Sequence, residues 1–248
     1  MLGVSLKLYL DVEQTARWAR EVAALCKWHP AVVGRRVEVF VLPSLPSLPQ
    51  VLQEFADTPV RVGAQDLHWD DRGAYTGAIS GEDLRAVGCA LVEVGHAERR
   101  TIFGESDQTI TNKVAAAFRN HLVPVLCVGE HDRISALDAA AVCVAQVESA
   151  LQASDTSDAD IIVAYEPAWA IGQGEAAATD HVVAVVTALR KRLHDDSRFD
   201  TTRVIYGGSA QPGSLTQLGG AVDGLFLGRF AHDPRQFARI LDEAVALV

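Results

Sequence analysis

Eight short apolar runs constrain this chain more than any other feature. They are Val4–Leu8, Val37–Leu42, Val60–Gly63, Ala90–Val94, Val123–Val128, Ile161–Ala164, Arg203–Tyr206 and Gly224–Leu227. Most are continuously apolar, the pattern of parallel strands covered on both faces. Between them lie stretches of helical periodicity: Glu13–Leu25, Ile110–Arg119, Leu137–Leu151, Val182–Leu193 and Pro234–Val245. In the fourth of these, Val182, Val185, Val186, Leu189 and Leu193 share one stripe. Eight strand–helix units in 248 residues is the count expected of an α/β chain folded as a single-domain (β/α)8 barrel over residues 1–248. A doubly wound open sheet is the structural alternative. It usually has fewer strands and a glycine-rich phosphate turn after the first. Nothing glycine-rich follows Val4–Leu8, and the loose G-x-G-x-x-A match from Gly172 to Ala177 stands well beyond a strand end.

Composition narrows the function. A net charge of −10 argues against nucleic-acid or anionic-membrane partners, which require basic patches. An anionic substrate therefore needs a locally positive site. Cys26, Cys89, Cys127 and Cys143 lie in or beside apolar stretches without C-x-x-C spacing, as reduced thiols of a cytoplasmic protein do. No secretory leader or membrane-length apolar run is expected. The histidines show no H-E-x-x-H or H-x-H spacing, so no metal and no cofactor is expected.

In a barrel, chemistry gathers at the C-terminal ends of the strands, and the reactive side chains fall there. Lys7 ends the first run, His96 follows the fourth and Glu166 ends the sixth. Gly207-Gly208-Ser209 follows the seventh and Gly228-Arg229 the eighth. Beyond Glu166, Pro167 stiffens a hinge and Gly172 and Gly174 close an apolar loop, a layout suited to a lid. A carboxylate base at Glu166 could take a proton from carbon beside a carbonyl. His96 could polarise that carbonyl, and Lys7 could stabilise the resulting anion. The glycine turns could present backbone N–H groups to phosphate. The bland readings are a structural histidine, a snorkelling lysine and a solvated cluster at Glu98-Arg99-Arg100. Placement at five strand ends favours the functional one.

Several motifs resemble the triosephosphate isomerase family over nearly the whole chain. They are Gly95-His96-Ala97-Glu98-Arg99-Arg100, Phe103-Gly104-Glu105, Leu126-Cys127-Val128-Gly129-Glu130, Ala164-Tyr165-Glu166-Pro167-Ala168-Trp169-Ala170-Ile171-Gly172 and Tyr206-Gly207-Gly208-Ser209. The resemblance implies a TIM barrel with Glu166 as base, His96 as electrophile and Lys7 as the anion-stabilising lysine. It further implies a lid over residues 167–177, phosphate surrounded by the backbone N–H groups of Gly172, Ser209, Gly228 and Arg229, and Glu98 pairing with Lys7. Triosephosphate isomerase is itself the standard example of a glutamate base beside a neutral imidazole, so that tuning comes with the resemblance. The family's third loop, here Gln65–Ser80 with Trp69, Tyr75 and Thr76, implies a homodimer in which Thr76 reaches the neighbouring active site.

Three positions depart from the family pattern. Ser5 stands where it has Asn, Ala97 where it has Ser, and Gly228-Arg229 where it has Gly-Gly. The first two remove bulk or a polar group near the reacting end. Adding a hydroxymethyl group at the carbon of dihydroxyacetone phosphate that loses its proton gives a tetrulose 1-phosphate, and Ser5 could supply the room. Ser5-x-Lys7, His68-Trp69 and Asp223–Arg229 resemble the erythrulose-phosphate branch of the family. The expected reaction is therefore L-erythrulose 1-phosphate to D-erythrulose 4-phosphate. The alternatives are triosephosphate isomerisation, a silent phosphosugar-binding barrel, and a glycosidase pairing Glu98 with Glu166.

Overall fold

The structure, a computed structural model, describes residues 1–172 and 176–247. Eight parallel strands form a closed barrel in sequence order. They are β1 (Leu2–Ser5), β2 (Val39–Leu42), β3 (Arg61–Ala64), β4 (Leu91–Val94), β5 (Val123–Val128), β6 (Ala159–Tyr165), β7 (Phe199–Tyr206) and β8 (Gly224–Leu227). Closure comes from β1 on β8, with Leu2 opposite Leu225 and Val4 opposite Leu227. The α-helices are α1 (Val12–Trp28), α2 (Pro30–Val33), α3 (Leu48–Phe55), α4 (Gly81–Ala86), α5 (Ala97–Ile102), α6 (Asp107–Arg119), α7 (Ala136–Leu151), α8 (Thr179–His194), α9 (Ser214–Leu218) and α10 (Pro234–Ala246). Side chains start several of them. Asp11 and Gln14 form a capping box at α1, and Ser80, Ser106 and Ser135 accept backbone N–H groups at α4, α6 and α7. No helix among the described residues is long and apolar enough to cross a membrane.

The core has two parts because a strand alternates its side chains between faces. Val39 and Val41 point outward to the helices, with Val92, Val94, Val163 and Leu225. Phe40, Leu42, Leu91, Val125, Ile162, Ile205 and Phe226 fill the lumen. The same alternation places Gly3 and Ser5 of β1, and Glu93 of β4, on the lumen side. Phe40 and Phe226 pack at 5.8 Å between ring centroids, and Gly3 leaves the space Phe40 occupies.

Strands β2, β3 and β4 differ from the sequence reading by one or two residues, and three others differ more. The first strand is Leu2–Ser5, not Val4–Leu8, so Lys7 lies two residues past its end. The apolar run continues into the barrel mouth, where Leu8 is 90% exposed, and apolarity alone does not mark where pairing stops. Strands β6 and β7 start earlier than expected, because polar Asp160 and Thr201 still pair. The short helices α4 and α5 carry too few apolar positions to show a stripe.

A Cβ at Gly3 would lie 2.1 Å from Phe40 Cζ. Gly3→Ala is expected to cost about 1–3 kcal/mol by overpacking, and Phe40→Leu in the same chain should recover part of it. Denaturant titrations that show the two losses adding would contradict this lumen packing.

Candidate active site

Each predicted site residue sits at the mouth formed by the strand C-termini. Lys7 follows β1 with φ 48°, a left-handed conformation that a non-glycine residue keeps only when its surroundings enforce it. The Gln65 side chain supplies that restraint, donating from Nε2 to the carbonyls of Lys7 and Leu42, each at 3.0 Å. Lys7 Nζ meets Glu98 Oε1 at 2.7 Å. Burial pulls the ammonium's pKa down most strongly, but the carboxylates of Glu166, Glu98 and Glu93 outweigh it and hold the lysine above its ordinary value. Glu98 is thus committed to Lys7, which disfavours its use as a glycosidase carboxylate.

His96 caps α5. Its Nδ1 accepts the backbone N–H of Glu98 at 3.1 Å, which places the ring proton on Nε2. Glu98 Oε2 also approaches Nδ1, at 3.6 Å, too far to compete as a hydrogen bond. Nε2 lies 3.5 Å from Glu166 Oε2. Both atoms are buried without a hydrogen-bond partner. Such orphans are costly in a folded protein, and here two of opposite chemistry face each other.

Glu166 is fixed by backbone rather than by side-chain bonds. Its N–H donates to Val128 O at 2.8 Å, and Gly207 N–H donates to Tyr165 O at 2.9 Å. Two glycines permit this approach. A Cβ at Gly129 would sit 2.0 Å from the Glu166 carbonyl oxygen, and one at Gly207 would sit 2.6 Å from Glu166 Oε1.

The expected lid spans 167–177, of which Gln173, Gly174 and Glu175 lie outside the described residues. Its stem is anchored on buried Glu130, which accepts from Trp169 Nε1 at 2.9 Å and from Tyr165 Oη at 3.2 Å and lies 3.0 Å from His181 Nε2. Ser209 Oγ donates to Ala170 O at 2.6 Å, and Ala177 N–H donates to Tyr206 Oη at 3.2 Å. The turn after β7 therefore holds both described ends of the lid. Gly228 precedes a short 3-10 helix, Arg229–His232. The Arg229 guanidinium donates from Nη2 to Gly172 O at 3.0 Å, so its side chain reaches lid backbone, a role that its position in the sequence did not reveal. A cavity of 570 Å³ joins Glu166, Gly172, Ser209, Gly228 and Arg229. A second, of 730 Å³, contains Glu93 and His96. The two share Ser5, Lys7 and Glu98.

Sequence reasoning assigned no role to Glu93, Gln65 or Glu130, although Glu130 ends one of the family motifs and Gln65 opens the third loop. Glu93 carried a signal: it is the charged residue inside the apolar run Ala90–Val94. The residue is 3% exposed. Ser5 Oγ donates to its Oε2 at 2.9 Å, and the Cys127 thiol lies 3.8 Å from Oε1. Burial lifts the Glu93 carboxyl from 4.5 to about 7. Repulsion from Glu166 adds to this, and His96, Lys7 and the Ser5 hydroxyl oppose it. Cys127 is held well above the ordinary thiol range, first by burial and then by Glu166 and Glu93, an environment that disfavours the thiolate a nucleophile needs.

The loop Gln65–Ser80 closes on itself through His68. His68 N–H donates to Ile79 O at 2.7 Å, and His68 stacks between Trp69 and Tyr75 at 4.1 and 4.2 Å. Thr76 is exposed on this loop.

A buried carboxyl with a raised pKa contributes stability that is complete below about pH 4.5 and lost as pH rises through about 7. Glu93→Gln is therefore expected to gain stability over the parent as pH rises from about 5 to about 8.5, by on the order of 3 kcal/mol. Denaturant titrations at both pH values read this difference, and a gap that does not change with pH would contradict it.

Comparison with known proteins agrees with this geometry. The family model described as triosephosphate isomerase matches residues 1–244. A protein of Pectobacterium atrosepticum named L-erythrulose-1-phosphate isomerase is 50% identical, with 99% of this chain and 96% of that protein covered. A protein of Moorella thermoacetica named triosephosphate isomerase is 38% identical, with 93% and 94% covered. The crystal structure of triosephosphate isomerase from Bartonella henselae superposes with a TM-score of 0.80 at 29% identity, covering 97% of each chain. The chain is an isomerase and belongs to the triosephosphate isomerase family.

Proposed function

We propose that the chain interconverts L-erythrulose 1-phosphate and D-erythrulose 4-phosphate without a cofactor. The observation that carries this reading is the pair of unsatisfied buried atoms, Glu166 Oε2 and His96 Nε2, 3.5 Å apart at one mouth. The 50% identity to a protein named for that substrate supports four carbons over three. Glu166 takes the proton from C3, and the electron pair moves toward the C2 carbonyl to give an enediolate. His96, with its N–H on Nε2, hydrogen-bonds the oxygens and carries a proton from O3 to O2. Glu166 then returns its proton to C2, leaving a C3 carbonyl. Lys7 offsets the enediolate charge. The phosphate sits among Gly172, Ser209, Gly228 and Arg229, where lid closure excludes water and limits phosphate loss. Triosephosphate isomerisation is the second reading, favoured by relatives such as the 38% identical Moorella protein.

The protein acts in the cytoplasm as a homodimer in this reading, with Gln65–Ser80 inserted into the partner. The exposed Leu8, Leu45, Phe103 and Tyr75 supply an apolar rim for that contact. Size-exclusion chromatography with light scattering is expected to give twice the chain mass, and a strict monomer at micromolar concentration would refute the dimer.

Steady-state kinetics on both ketose phosphates tests the substrate. L-erythrulose 1-phosphate should have the higher kcat/KM, and a strong preference for dihydroxyacetone phosphate would overturn the four-carbon reading. Glu166→Asp should lower kcat by more than about 100-fold, since a displacement of about 1 Å can cost that much. An unchanged rate would remove Glu166 as the base.

A further inference from the structure

We propose that Glu93, with Ser5 bonded to it, is the specificity-determining group that receives the terminal hydroxymethyl of the substrate. The inference rests on the four-carbon reading and names the residue that distinguishes four carbons from three.

The geometry of the two cavities leads to it. One holds Glu166 and the backbone turns suited to phosphate, and the other holds His96 and Glu93. They meet at Ser5, Lys7 and Glu98. A substrate whose phosphate lies in the first cavity has its reacting carbons between Glu166 and His96. Its far end then points into the second. A three-carbon chain stops at that junction, whereas a fourth carbon carries its hydroxyl past it.

Most charged groups lining the second cavity are held in ion pairs with one another, although Glu105 Oε2 is left without a hydrogen-bond partner. Lys113 Nζ lies 2.5 Å from Asp66 Oδ1 and 2.6 Å from Glu105 Oε1. Arg99 meets Asp66 at 2.8 Å and Glu105 at 2.6 Å. Gln65 is committed to two carbonyls. Glu93 differs. Among the described residues its hydrogen-bond partners are the Ser5 hydroxyl on one oxygen and a weak thiol contact on the other. A carboxylate can accept about four hydrogen bonds, so capacity remains at the floor of the site. Its carboxyl, pushed up to about 7, gains most from a donor that replaces the water excluded by burial. A substrate hydroxyl is such a donor. Ser5 is short enough to leave Glu93 in view of the cavity, and it bonds the carboxylate from the tip of β1, across the lumen from β4.

Removing the hydroxyl from the substrate tests this directly. L-erythrulose 1-phosphate and its 4-deoxy analogue would be compared on the parent enzyme, Glu93→Leu and Glu93→Gln. The parent should lose at least about tenfold in kcat/KM on the deoxy analogue, because a site built to bond a hydroxyl discriminates against its absence. In Glu93→Leu that penalty should shrink to within about threefold, and Glu93→Gln should fall between. A parent enzyme indifferent to the 4-hydroxyl overturns the assignment without any variant. Variants that keep the full penalty overturn it as well. Dihydroxyacetone phosphate in the same assay separates the two claims. A parent that prefers it strongly overturns the four-carbon reading together with this one, whereas a preference for the tetrulose without a 4-hydroxyl penalty overturns the Glu93 assignment alone.

Discussion

The close approach of three strand tips, β5, β6 and β7, is the constraint on which the site depends. The register that pairs Val128 with Tyr165 and Tyr165 with Tyr206 fixes the backbone of Glu166 between Val128 and Gly207. Gly129 and Gly207 lack the Cβ atoms that would collide with Glu166. A carboxylate held in this way needs no side-chain partner to keep its place, and one of its oxygens stays free for substrate. The energetic cost of an unpaired buried oxygen is carried by the barrel's packing.

The same principle recurs around the mouth. His96 is oriented by a backbone amide on Nδ1, which leaves Nε2 unpaired. Lys7 is held in a left-handed turn by Gln65 and balanced by three carboxylates. Glu130 secures the lid stem through Trp169 and Tyr165, and Ser209 and Tyr206 secure the lid from the next strand. In each case a second residue takes up orientation so that the reactive atom keeps its capacity. The chain as a whole is strongly acidic, and in the proposed function the phosphate is met by backbone turns, Lys7 and Arg229 rather than by a basic surface.

Much of this was legible in the sequence because the fold writes it in period and position. Eight apolar runs gave the barrel, and reactive residues after their ends gave Lys7, His96, Glu166, Ser209 and Gly228. The sequence was less informative where a strand's end depends on pairing rather than on apolarity, as at Ser5 and Asp160. It placed Gln65 and Glu130 in a loop and a motif but gave them no role, because their importance lies in contacts across loops far apart in the chain. Glu93 was different: a charge within an apolar strand was visible, but only the alternation of the built strand shows that it faces the lumen beside Ser5. Arg229 was assigned through its backbone, and its side chain proved to reach Gly172.

The central claim is that one carboxylate moves a proton between neighbouring carbons through an enediolate. Its most direct test is NMR of the product formed in deuterium oxide. The account predicts deuterium at the carbon that gains hydrogen, because a carboxylic acid at Glu166 exchanges with solvent before it returns its proton. Product formed at full rate with no solvent label at that carbon would contradict it, because the account has the proton on Glu166 exchange during the lifetime of the enediolate.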